Sequence, residues 1–177
     1  MWVDDVLRFW FHELTPQQWF SKDEQLDREV RERFGALHEA LATHALAVPD
    51  SARAMLAAVL VLDQFSRHIH RDTEQAFAFD PHALQLARQA IERNYDRDLA
   101  VNERKFLYMP FMHSEDLETQ SRCVELFSAL GDAESLRFAV EHHDIVHRFG
   151  RFPHRNAILG RDSTAEEQRF LEHHAGF

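Results

Sequence analysis

From Ala52 to Phe65 the chain is apolar on nearly every side, which marks a central helix buried all round. A helix of that kind needs amphipathic partners, and the flanking sequence supplies them. Leu26, Val30, Phe34, Leu37, Leu41 and Ala45 recur on one helical stripe, opposite Arg28, Glu29, Arg31, Glu32 and Arg33, a solvated salt-bridge face. Val3, Val6, Leu7, Trp10 and Phe11 follow the same spacing until Thr15-Pro16 breaks it, and Trp19 and Phe20 pin the connecting turn. Pro49-Asp50-Ser51 ends the long stripe and caps the buried helix.

The remaining punctuation is also helical. Asp80-Pro81 places a capping acid before proline at the first helical position, opening a helix through Ile91. Asn102 is the expected cap of a helix carrying Phe106, Leu107 and Tyr108, which Pro110 bends or ends. Ser114-Glu115-Asp116 opens the next, with Leu117, Val124, Phe127 and Leu130 inward and Gly131 as a left-handed cap. Another runs from Glu134 to Phe149 and closes on Gly150, and Ser163 to Glu166 reads as a capping box before Phe170 and Leu171. No segment alternates as a strand does. The expectation is an all-α chain of about eight helices joined by short connections, forming one domain over residues 1–177.

Five glycines and five prolines against fifteen phenylalanines suit such a packed helical core. The formal charge of −10 opposes nucleic acid and anionic membrane, because the molecular field repels phosphates. Cys123 is the single cysteine, so an internal disulfide and a cysteine zinc cage are excluded, and its apolar neighbours make it a core filler. No apolar run reaches membrane-spanning length, and Asp4 and Asp5 stand where a secretory leader carries basic residues. These features favour a soluble cytoplasmic protein. Trp2 and Trp10 offer aromatic surface for a homodimer, although core packing accounts for them equally well.

Three polar islands interrupt the apolar helices. In Leu62-Asp63-Gln64-Phe65-Ser66-Arg67-His68, Asp63 and Arg67 are four apart and share a helical face, as a salt bridge or as an acid orienting an anion-binding arginine. In Met112-His113-Ser114-Glu115-Asp116, the acids complement a helix N-terminus while His113 points away from it. The third, His142 to Asn156, crowds four histidines and three arginines around Phe149 and Phe152. Arginine and histidine offer planar, directional donors that suit a shaped site. His143 and His147 have a spacing that can hold a divalent metal, but no metalloprotease-type glutamate frames them, so no metal site is expected. His12, His38, His44, His173 and His174 read as helix-surface residues.

Taken together, Val61 to His68 continuing to Arg71-Asp72, Phe106 to Leu117, and Asp144 to Gly160 resemble, in that order, the bacterial proteins grouped as domain of unknown function 924. The resemblance covers essentially the whole chain. It implies a compact, tetratricopeptide-like stack of antiparallel helix pairs and supplies no reaction. Its polar positions here are Asp63, Gln64, Arg67, His113, Ser114, Glu115, Asp116, His142, Asp144, Arg148, Arg151, His154, Arg155 and Asn156. His143 stands where relatives often have arginine, which favours His142 and Asp144 over it as ligands.

Three functions follow as expectations. The first is a binding module in which Arg67, Gln64, Arg148, Arg151, Arg155 and Asn156 capture the carboxylate or phosphate of a small molecule or peptide. The second is an enzyme with His113 or His154 moving a proton, Asp63 or Asp144 as orienter, and Arg67 and Arg151 as clamps. Without an evident nucleophile, that chemistry would be hydrolysis by water or isomerisation. The third is a structural domain whose polar islands tie helix ends together.

Overall fold

A computed structural model describes residues 1–174 and 176–177, and among them every regular element is helical. Helix α1 (Trp2–Arg8) continues into a π turn (Phe9–Glu13), and α2 spans Glu24–Ala42. Helix α3 (Ala52–Val59) runs without a break through a π segment (Leu60–Phe65) into Ser66–Ile69. Then come α4 (Asp80–Glu92), α5 (Val101–Met112), α6 (Leu117–Leu130), α7 (Ala133–Phe149) and α8 (Ala165–Leu171). The all-α reading and the helix count are both met. The chain gathers into two compact units, residues 1–71 with 75–110, and residues 72–74 with 111–177.

In the first unit α3 is buried as its composition demands: Leu56 to Leu62 and Phe65 have no exposed surface. Helices α1, α2 and α4 all pack on it. Aromatic rings fill the gaps, with Phe34 4.9 Å from Phe65 and 5.0 Å from Phe9, and Trp19 5.0 Å from Phe106. Trp19 also donates its indole N–H to the Trp10 carbonyl at 2.8 Å, which ties the post-Pro16 turn to α1 as expected. The stripe on α2 holds through Leu41, while Ala45 lies exposed beyond the helix end. That stripe also carries two polar residues into the interior, Asp27 and His38.

Several expected caps are shifted. Asp80 is the first residue of α4 rather than its cap, and its carboxylate is turned to Arg67. Asn102 lies inside α5, where Glu103 instead accepts from the Ala100 N–H at 2.8 Å. Helix α5 carries Pro110 within its last turn and ends two residues later, consistent with the lost N–H.

In the second unit α6 and α7 form an antiparallel pair, because only Gly131 and Asp132 join them. Asp116 caps α6 by accepting from the Thr119 N–H at 2.8 Å. Phe127 faces inward as expected, joined by Cys123 and Leu126 rather than Val124 and Leu130, and Leu117 is exposed. Gly150 stops α7 at φ +71, a conformation that a side chain would strain. Ile145, Val146 and Phe152 then form a core on which Phe149 and Phe170 pack. The capping box falls one residue later than expected, on Thr164 and Glu167.

Candidate functional site

The first island begins in the π segment of α3, a widened turn of a kind frequent at functional sites, and continues into Ser66–Ile69. Asp63 is fully buried and accepts from Gln64 Nε2 at 2.5 Å. Arg67 Nη1 donates to the Asp63 carbonyl (2.7 Å) and lies 3.5 Å from Asp63 Oδ1. Its fork grips Asp80 bidentately, at 2.8 and 3.0 Å. Burial works against the guanidinium charge, yet Asp80 and Asp63 overcome it and hold Arg67 well above the ordinary arginine range. The structure thus brings Asp63, Gln64 and Arg67 together, in a network whose anions belong to the chain itself.

Two buried networks flank that island. Asp27 accepts from His68 Nδ1 at 2.7 Å and from Arg71 Nε and Nη2 at 2.5 and 2.6 Å. Burial would raise the Asp27 carboxyl, but Arg71 and His68 bring it below its usual value. His38 is not on the surface as its sequence position suggested; it lies 2.8 Å from Ser66 Oγ. Ser66 gives its hydroxyl hydrogen to the Leu62 carbonyl at 2.6 Å, so His38 Nε2 is the donor of the pair. That direction leaves the serine unactivated. Burial holds His38 neutral, with its pKa down at about 4.

The second and third islands belong to the second unit, where the arginines divide by role. Arg148 is exposed and pairs with Glu166, Nη2 to Oε1 at 2.8 Å. Arg151 donates to both Glu167 oxygens (2.7 and 2.9 Å) and to the Asp162 carbonyl (2.7 Å). The Arg151 hydrogen bonds hold Glu167 down at about 2. Asn156 also reaches Glu167 Oε2, at 3.4 Å, and Ser163 Oγ at 3.1 Å. Glu115 turns from its own helix end to accept the Phe152 N–H (2.8 Å) and both Nη groups of Arg161 (2.7 and 2.8 Å).

Arg155 is placed differently. It is 7% exposed, its guanidinium carbon lies 4.7 Å over the Phe152 ring, and Nη2 donates to the His113 carbonyl at 3.1 Å. The rings of His142 and His154 each lie 5.5 Å from the same Phe152. His142 Nδ1 donates to the Phe138 carbonyl at 2.7 Å, which leaves Nε2 as the lone-pair nitrogen when the ring is neutral. Burial first, and then the charge of Arg155, push His154 to about 4; burial with His113, His154 and Arg155 takes His142 to about 3.

Residues from three separate stretches thus surround Phe152: the loop before α6, the middle of α7, and the turn Pro153–Arg155. Against their faces lies Phe177, its ring 3.6 Å from His142 and 5.6 Å from His154. Asp144 is not brought to His154. It lies 71% exposed, 3.2 Å from His143 Nδ1. His143 and His147 stack at 6.0 Å on the outer side of α7, and no group of three metal-ligating side chains occurs among the described residues.

Sequence reasoning missed Asp27, Arg161, Glu167 and Phe177. Asp27 carried a readable signal, an acid one position from Leu26 on an apolar stripe. The others did not, because their partners lie 11 to 46 positions away along the chain.

Comparison with curated proteins finds no match. The model of a bacterial protein family of unknown function, DUF924, matches residues 6–175. A solved structure of a protein of unknown function from Agrobacterium tumefaciens is 42% identical, covers 97% of each chain, and superposes with a TM-score of 0.92. With its three motif blocks in order and the match spanning nearly the full length, the chain belongs to the DUF924 family.

Proposed function

We propose that the chain is a cytoplasmic binding module whose second unit receives the carboxylate or phosphate of a small molecule or peptide. The receiving face is His113, His142, His154 and Arg155 around Phe152. The observation that carries this reading is the placement of Arg155: a buried guanidinium whose charge is felt at two neutral imidazoles from different elements. An arriving anion is drawn to that positive field and favours protonation of the imidazoles, so anion binding takes up protons and tightens as pH falls. Arg148 and Arg151 serve this reading less well, since Glu166 and Glu167 already engage them. The catalytic alternative has weaker support: Asp144 is turned to solvent beside His143, and Asp63 is held by Gln64.

The test is titration with inorganic phosphate and benzoate, followed by imidazole NMR shifts and calorimetry. Shifts at His113, His142 and His154 are expected, with weaker binding in Arg155→Lys, which keeps a charge but loses the planar fork. Arg148→Ala binds as wild type. Imidazoles unmoved by either anion, or Arg155→Lys equal to wild type, would refute the assignment.

A further inference from the structure

The geometry points to an acid-sensitive latch between α2 and α4: His44 and His82 hold the turn after α2 onto the start of α4 while their rings are neutral, and part when both carry protons. The two ring centroids lie 4.4 Å apart, with 39° between planes. His44 is exposed and His82 half-buried, so solvent protons reach the pair from its outer side. The contact belongs wholly to the first unit and does not depend on the anion-binding reading of the second.

Local sequence builds the contact. Helix α2 closes on Thr43, and His44 takes the left-handed conformation at φ +58, which histidine adopts more readily than most side chains. Its N–H donates to the Leu41 carbonyl at 3.1 Å, and the Leu46 N–H returns to the Ala40 carbonyl at 3.0 Å. That reversal brings the His44 ring onto α4, where His82 stands in the first turn behind Asp80 and Pro81. The His82 Nδ1 is buried and makes no hydrogen bond, so stacking holds the ring and no acceptor there would keep a proton on that nitrogen.

The surrounding charges are engaged elsewhere. Within α4, Asp80 grips Arg67 and Arg93 pairs with Asp50, while Arg88 and Glu92 lie further along the helix. The elements packed on α4 are α3, its π segment and the turn Tyr95–Asp98. From α3 and the π segment come Arg53, paired with Asp4, and Asp63, beside Arg67. From the turn come Tyr95, which donates to Asp50, Asp96, which accepts from Tyr108, and then Arg97 and Asp98. On α2, Glu39 is exposed and His38 meets His70 at 5.3 Å. The charge that acts on His82 is that of His44, which together with burial, the larger cause, holds the ring below its ordinary value of 6.5. The positive end of α4 opposes the same proton. Because the folded value is lowered, the contact is fully present above 6.5 and is lost as pH falls.

The experiment follows hydrogen exchange of the His44 and Leu46 amides at about pH 7.5 and about pH 5, corrected for the intrinsic rate, in wild type, His82→Phe and His44→Asn. Two unit charges at this separation, with water on one side, shift a local opening equilibrium about fivefold, so protection in wild type falls by that factor on acidification. The buried α3 amides keep their greater protection, which marks the opening as local. His82→Phe keeps a ring against His44 with nothing to titrate, and His44→Asn keeps a residue suited to the left-handed turn without the second charge. In both variants the fall disappears, and in His44→Asn the His82 titration moves up. Equal Leu46 protection at the two pH values in wild type, the same fall in His82→Phe as in wild type, or a His82 titration unmoved in His44→Asn would each overturn the latch.

Discussion

Acidification is the sharpest test of the buried imidazoles. His38 and His142 are 4% and 6% exposed and are held neutral, at about 4 and about 3, while a histidine in the unfolded chain titrates near its ordinary value of 6.5. The folded state therefore binds fewer protons than the unfolded state throughout the interval between. Stability is fully present above 6.5 and is lost as pH falls toward the folded values. At about pH 5 each such histidine costs about 2 kcal/mol, so the pair removes about 4 kcal/mol relative to about pH 7.5. His68, His70 and His154 are lowered too and act in the same direction. The carboxylates do not confuse this window: Asp27, Glu115 and Glu167 are lowered, so their contributions persist until pH drops below the ordinary carboxylate range. Urea denaturation at the two pH values reads the loss directly. With a urea slope of about 2 kcal/mol/M, these two histidines alone lower the midpoint by about 2 M. In His142→Asn, where an amide N–H can replace Nδ1 and nothing titrates, the fall is smaller by about 1 M. Equal midpoints at the two pH values, or an undiminished fall in His142→Asn, would refute the neutral-imidazole account.

Replacing Arg67 with methionine takes the guanidinium from the buried Asp63 and from Asp80, at a cost of about 3–5 kcal/mol. Thermal unfolding should show Tm lowered by about 10 °C, whereas Arg122→Met, which breaks only the exposed pair with Glu125, leaves it unchanged. Burial raises the Cys123 thiol pKa, so a thiol-specific reagent should label it only in denaturant; rapid labelling of the native protein would contradict its placement. Trp2, Trp10 and Trp19 all belong to the first unit, whereas far-UV circular dichroism reports helices of both. One domain over residues 1–177 requires the two signals to unfold in one coincident transition, and separated transitions would show two.

The legible part of this fold was what local periodicity and punctuation encode. The all-round apolarity of Ala52 to Phe65 announced a buried α3, and Gly131 and Gly150 announced the ends of α6 and α7, because left-handed caps are local chemistry. The misplaced caps share one cause: a carboxylate near a helix start has competitors beyond its own turn. Asp80 left the capping role because Arg67, thirteen positions earlier, offers two charge-assisted hydrogen bonds where an N-cap offers neutral N–H groups. The capping box slid from Ser163 to Thr164 for a related reason. Glu167 can then serve the Thr164 N–H and Arg151 together. The candidate site was legible as residue types but not as partners. Nothing local distinguishes Arg151, which closes a loop, from Arg155, which lies under the histidines.

That distinction between arginines decides where a ligand can gain affinity. A guanidinium that already grips a carboxylate of its own chain must surrender those bonds before it holds a guest, so the guest gains only the difference. Arg67 with Asp80, Arg151 with Glu167 and Arg161 with Glu115 are all in this position, and each joins segments well separated in sequence. Arg67 with Asp80 ties the end of α3 to α4, while Arg151 with Glu167 and Arg161 with Glu115 fix the turns from Arg151 to Arg161 against α8 and the loop before α6. Arg155 lies over the face of Phe152 and donates to the carbonyl of His113. The ties and the proposed receiving face then depend on each other. The Glu115–Arg161 pair anchors the Phe152 backbone through both its N–H and its carbonyl, and Phe152 in turn carries His142, His154 and Arg155. An architectural salt bridge is what gives the imidazoles a common centre, so weakening it should loosen ligand binding even though neither partner need touch the ligand.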